Sequence, residues 1–271
     1  MNLMKGRNLI IFIGIPGWLF LIWLGGYYYT LFILSVIIIG LHEYYKLAKI
    51  KNAEPLKFIG FAIAGFIANY FHVQAETNGF QFMVILILTI IILFIWQLFL
   101  IKDNPTKNMA FTLKGIMYIP VLLGTAIAIR QFDQEMDTKI TFALVTSIWA
   151  CDSAAFILGS LWGTRKIFPR VSPNKSWLGS ISGLLAAVLV FYCFHHFNVL
   201  GDIFTIENAI IMGLITGIFG QIGDFYESLL KREAGVKDSG TLLRGHGGIL
   251  DRFDSLIFAT PTVFIYIHSL F

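Results

Sequence analysis

From Asn8 to Leu41 the chain carries no Asp, Glu, Lys or Arg, and further uncharged or nearly uncharged runs recur to its C-terminus. A helix needs roughly 20 apolar residues to cross the hydrocarbon of a bilayer. The first run is too long for one crossing, and Gly25-Gly26 interrupts it where a tight turn is expected. It therefore reads as two short helices. Composition agrees: 57% of the residues are hydrophobic and 13% charged, whereas soluble domains are nearer half apolar and about a quarter charged. No stretch is polar for long enough to fold as a separate aqueous domain. The chain is expected to be a single membrane-embedded domain over 1-271, with N-terminal helices in 1-130 and further helices and cytoplasmic loops in 140-271.

Further spans are expected at about Phe58 to Phe71, Phe80 to Ile101, Ala110 to Ile129, Ile140 to Leu161, Leu178 to Phe197, Ile206 to Leu230 and Phe253 to Phe271. The fold class is thus all-α, a polytopic integral membrane protein of about nine transmembrane helices. The N-terminus has the basic flank of a signal sequence but no small-residue cleavage site, so it reads as a retained span. Cytoplasmic loops retain Lys and Arg. With the N-terminus cytoplasmic, every Lys and Arg falls on the inner side except Arg130 and Lys139, while the outer loops carry Glu76, Asp133, Glu135, Asp137, Asp202 and Glu207. A basic inner face suits anionic lipid headgroups or a nucleotide, although a topology signal accounts for many of these residues. Cys151 and Cys193 lie in apolar runs without ligand spacing, which argues against a disulfide framework or a zinc site.

Topology does not explain every charge. Asp152 lies within the sixth span and costs on the order of 3 kcal/mol if it faces lipid, so it is expected to face protein or a water-filled cavity. A carboxylate that caps a neighbouring helix, or bonds a Ser or Trp, is the structural alternative. Gln221, Asp224, Ser228 and Lys231 fall along one stripe of the eighth span, with Glu227 beside them. Pairing Glu227 with Lys231 at i, i+4 explains those two and leaves Asp224 unexplained. Asp251 and Asp254 repeat the i, i+3 spacing at the start of the ninth span. Apposing the two helix ends would assemble up to four carboxylates at one depth, the ligand chemistry of a hard cation such as magnesium, completed by waters and substrate phosphates.

Between these helices, Gly245 to Gly248 ("GHGG") supply backbone freedom and N–H groups suited to phosphate oxygens. Lys231, Arg232, Lys237 and Arg252 flank them. His246 is a phosphate ligand, an acid or base, or a structural hydrogen bonder. The loop from Gly163 to Ser180 adds Arg165, Lys166, Arg170 and Lys175, with Ser172-Pro173 stiffening the approach to the next helix and Asn174 to Ser176 at its N-terminus, a natural anion site. His195-His196 near the outer end of the seventh span point in different directions and read as interfacial.

The segment Ser228 to Ser255, "SLLKREAGVKDSGTLLRGHGGILDRFDS", resembles the signature of the CDP-diacylglycerol synthases, or phosphatidate cytidylyltransferases: S-x-x-K-R, four residues, K-D, then a stretch ending P-G-H-G-G-x-x-D-R-x-D. The resemblance extends through "GDFYES", the Asp152 span and "SPNKSW", roughly the C-terminal half. Arg244 stands where the family has Pro, and Leu178 where its S-P-K-K-T-W-E-G segment has Glu. The resemblance implies a magnesium-dependent reaction of CTP with phosphatidic acid that yields CDP-diacylglycerol and pyrophosphate. Residue reading and resemblance together assign Asp224, Asp251, Lys237, Asp238, His246 and Arg252 to catalysis. They assign Lys175, Ser172, Asp152, Lys231, Arg232, Gly245, Gly247 and Gly248 to substrate, and Asp224, Asp251, Glu227 and Asp254 to Mg2+, with a second, monovalent cation left open. A homodimer in a bacterial inner membrane, its active site at the cytoplasmic face and no nucleic-acid partner, is expected. The D-G-x-x-A-R motif of the CDP-alcohol phosphotransferases is absent. A CTP-dependent enzyme acting on another lipid phosphate or a lipid alcohol would use the same site. An ion-coupled transporter accounts for the buried acids but leaves the Gly-rich basic loop idle.

Overall fold

The computed structural model describes residues 10–73, 79–99, 103–132, 137–201, 204–242 and 247–270. Among them the regular structure is helical, apart from one isolated bridge between Lys166 and Ser176. The long uncharged run breaks at Gly25. After a π-helical turn at Ile10–Gly14, Pro16 opens α1 (Ile15–Leu24). Gly25 stops it with φ +63, a backbone conformation L side chains rarely adopt, and α2 (Gly26–Ile50) follows. Arg130 closes the end of α1 from outside, donating its Nε to the Ile22 carbonyl at 2.7 Å, so a cation at the bundle's less basic end serves as a helix C-cap.

The chain continues through α3 (Lys57–Val73) and α4 (Gly79–Phe99). Next comes one continuous rod made of α5 (Pro105–Ile116), a π turn at Met117–Val121 and α6 (Leu122–Arg130). Pro120 lies in that turn, and its missing N–H accounts for the irregular bonding there. The remainder is α7 (Asp137–Trp162), α8 (Trp177–His196), α9 (Ile206–Glu233) and α10 (Leu250–Leu270). Seven of these rods are long and apolar enough to cross a membrane, and two shorter apolar helices, Phe12–Leu24 and Lys57–Val73, accompany them. This is a multi-pass membrane protein.

Helices outrun the apolar stretches expected of them. At 28 residues, α9 is about 42 Å long, against roughly 30 Å of hydrocarbon. Its last turns, with Glu227, Lys231 and Arg232, therefore extend the helix beyond its apolar stretch. Packing explains how α7 to α10 stand close together. A Cβ on Gly213 would run into the Val188 backbone, and one on Gly183 would sit 2.8 Å from the Cys151 carbonyl. A Cβ on Gly223 would meet the Asp254 carbonyl. Small residues that let backbones approach are the usual means of helix association in lipid. Helix α10 packs between α9 and α6, and α6 packs on α2 and α3, so the two portions of the chain share one interior. Helix α4 stands at the edge with Phe80, Leu98 and Phe99 turned outward, as a lipid-facing helix does.

Candidate active site

The loop between α7 and α8 folds back on itself. Ile167 N–H donates to the Lys175 carbonyl at 3.2 Å and Trp177 N–H to the Arg165 carbonyl at 3.0 Å. Ser176, buried, caps α8 by accepting from the Gly179 N–H at 3.2 Å. Ser172 is half-buried in a turn, its N–H donating to the Phe168 carbonyl at 2.9 Å. This frame aims Lys175 at α9. Its ammonium pairs with Asp224 and lies 4.6 Å above the centre of the Phe225 ring. Arg232 ties the loop to the end of α9, donating to the carbonyls of Val171 at 3.2 Å and Val236 at 2.9 Å.

Two helical turns further along α9 from Asp224, Lys231 lies between two acids. It pairs with Glu227 and with Asp251 Oδ1 at 2.6 Å, so the last turns of α9 and the first of α10 do come together. The other oxygen of Asp251 accepts from Ser239 N–H at 3.0 Å, Ser239 Oγ at 3.0 Å and Gly248 N–H at 2.7 Å. Gly247 has φ +81, and a Cβ there would overlap this carboxylate. Glu227 is fully buried, with the Lys231 ammonium beside it and both oxygens otherwise without a hydrogen bond among the described residues.

The remaining acids line the side facing Lys175. Asp254, half-buried, accepts from the Ser255 N–H at 2.8 Å and lies within electrostatic range of Asp224, Asp152 and Lys175. Asp152 is exposed on α7, within range of Asp224, Lys175 and Arg252. The ion pairs thus centre on two lysines, Asp224 on Lys175 and Glu227 with Asp251 on Lys231, while Asp152 and Asp254 lie within electrostatic range of the first pair and Asp254 of Glu227 as well. Among the described residues no three His, Cys, Asp or Glu side chains gather closely enough to hold a metal ion by themselves. Lys237, Asp238 and Arg252 are exposed at the same end of the bundle. Gly245 and His246 lie outside the described residues. His195 bonds the Phe204 carbonyl at 2.8 Å, at the opposite end.

Two participants were not anticipated. Ser239 supplies both a hydroxyl and an N–H to Asp251, and Glu43, on α2, reaches the start of α10, accepting from the Leu250 N–H at 2.9 Å. The signal for Glu43 was present, an acid directly after an uncharged run, but a loop at the end of a span accounted for it equally well.

A model of the cytidylyltransferase family matches residues 5–270. The chain belongs to the cytidylyltransferase family. The phosphatidate cytidylyltransferase of Bacillus subtilis is 33% identical over 265 residues, 97% of this chain and 96% of the relative. That of Haemophilus influenzae is 31% identical over 258 residues, covering 87% and 88%. The enzyme of the same name from Staphylococcus saprophyticus reaches 44% identity over 125 residues, covering 45% and 46%. Membership of the cytidylyltransferases spans the whole bundle, including the N-terminal helices that the signature segment left unassigned.

Proposed function

We propose that this protein transfers CMP from CTP to phosphatidic acid, giving CDP-diacylglycerol and pyrophosphate for phospholipid biosynthesis. Family membership supports the reaction. The observation that carries it to particular residues is the set of lysine–carboxylate pairs, Lys175 with Asp224 and Lys231 with Glu227 and Asp251. A phosphate oxygen of the lipid attacks the α-phosphorus of CTP in line, forming a new P–O bond as the bond to the β-phosphate breaks. Both reactants are polyanions, so ammonium groups that can turn from a carboxylate to a phosphate offset their repulsion and stabilise charge on the leaving pyrophosphate. The lipid phosphate is itself the nucleophile, and no activated Ser or Cys of the protein is needed.

The donor set fits magnesium. Magnesium binds through one or two carboxylates, waters and substrate phosphates, without a protein cage, and Glu227 is a buried carboxylate with no hydrogen-bond partner beyond the Lys231 ammonium among the described residues. Asp224 and Asp251, with Glu227 and Asp254 as neighbours, would hold it, and it would neutralise the triphosphate and the leaving group. Lys175 and the exposed Lys237 and Arg252 meet the phosphates arriving from water, while Lys231 keeps Asp251 oriented.

CTP is a cytoplasmic solute, and the basic end of the bundle belongs on that side by the Lys and Arg rule. The reading is therefore nine crossings, a cytoplasmic N-terminus and a site at the cytoplasmic face of the inner membrane, with a homodimer expected from family likeness alone. The test uses purified protein in detergent with phosphatidic acid, labelled CTP and magnesium. Lipid-soluble cytidine label is expected, lost on chelation and in Asp224→Asn. No label on phosphatidic acid would reject the acceptor, and full turnover by Asp224→Asn would remove that carboxylate from the site.

A further inference from the structure

Glu43 lies in α2, in the portion of the chain to which no catalytic role has been given, yet its buried side chain is embedded in the turn that leads into α10. One carboxylate oxygen accepts from the Ile249 N–H at 3.1 Å, the other from the Leu250 N–H at 2.9 Å and from Ser239 Oγ at 3.0 Å. Gly240 and Gly248 close onto it so tightly that a Cβ on either would overlap the carboxylate. The Ser239 hydroxyl that meets Glu43 also stands 3.0 Å from Asp251 Oδ2, and the Gly248 N–H bonds that same oxygen.

We infer that Glu43 is a positioning residue for the transfer reaction: its carboxylate fastens residues 239 and 248–250 into the turn that orients Asp251. The inference rests on the proposed reaction. An anion at a helix N-terminus satisfies N–H groups that have no partner within the helix. Here the anion comes from a distant helix, so the N-terminal portion of the fold holds the geometry of a residue in the other portion. Ser239 has one hydroxyl proton to share between two carboxylates, and its own N–H secures Asp251 whichever one it serves.

The test compares Glu43→Gln and Glu43→Asp in the purified full chain. Glutamine keeps the volume but turns an N–H2 toward donors, whereas aspartate keeps the charge and loses a methylene. Positioning by charge predicts turnover in the order Glu, Asp, Gln, with Gln down roughly ten- to a hundredfold. A packing role alone predicts Gln above Asp, and that order, or wild-type turnover in Glu43→Gln, overturns the inference. Amide exchange gives a readout independent of activity. Exchange at Ile249 and Leu250 should quicken in Glu43→Gln while α7 and α8 are unchanged, and unchanged exchange at those two amides also overturns it. If the wild type itself fails on phosphatidic acid, the proposed reaction falls, and the exchange measurement still decides whether the latch exists.

Discussion

Lys175 and Lys231 both answer carboxylates, but at different depths. The side chains of Lys175 and Asp224 are 31% and 28% exposed, those of Lys231 and Glu227 11% and 0%. An exposed ion pair is worth about 0–1 kcal/mol, whereas removing one partner of a buried pair costs about 3–5 kcal/mol, because the remaining charge has no compensation. Lys175→Met should therefore leave thermal unfolding nearly unchanged while raising the CTP concentration needed for turnover. Lys231→Met, which strands Glu227 and Asp251 together, should unfold at markedly lower temperature. Thermal denaturation of both variants in the same detergent checks this, and equal losses of stability would show that the two lysines do not differ in kind. The type and spacing of these residues were legible along the chain: Glu227 with Lys231 follows from i, i+4 geometry. The division of the acids between two lysines was not, because it depends on where the α7–α8 loop lands on α9.

Helix α9 carries Asp224 and must lie close against α8 for Lys175 to reach it. Gly213 permits that approach, since a Cβ there would collide with the Val188 backbone, which cannot move aside as a flexible side chain could. Gly213→Ala is expected to destabilise by roughly 1–3 kcal/mol and to lower turnover by displacing Asp224. Gly65 in α3 is the control: a Cβ there meets nothing within 4 Å. Gly65→Ala should be neutral or stabilise by about 0.5–1 kcal/mol. Measuring unfolding and turnover for both decides it, and a tolerated Gly213→Ala would mean that the helices can separate without cost. Hydropathy located most helices within a few residues, and Gly25 marked the first break. It read Ala110 to Ile129 as one span, which α5 and α6 together form, but could not reveal the π turn at Pro120 or how far α9 runs past its apolar stretch, since a helix continues wherever caps and neighbours support it. The role of Glu43 could not be read from its position alone, because its partners at Ile249 and Leu250 meet it only once the bundle has assembled.

Across the whole molecule, the two ends of the bundle differ in chemistry. At one end stand Lys46, Lys49, Lys57, Lys114, Lys166, Arg170, Lys175, Lys231 and Arg232; at the other, Arg130 is turned inward to cap α1. Basic residues resist translocation during insertion, so the same charges that would draw a nucleotide also fix which way the protein faces. Orientation and substrate supply are then one requirement, because a triphosphate reaches the lysines only from the compartment that retained them. In a background lacking Cys151 and Cys193, single cysteines at Arg170, in the α7–α8 loop, and at Glu207, in the first turn of α9, report the two ends; both native residues are exposed. A membrane-impermeant maleimide added to intact spheroplasts should label Glu207→Cys and leave Arg170→Cys unmodified until the membrane is opened. The opposite pattern would put the lysine-bridged acids on the side without CTP, and the proposed transfer could not then proceed in a cell, whatever the purified protein does in detergent.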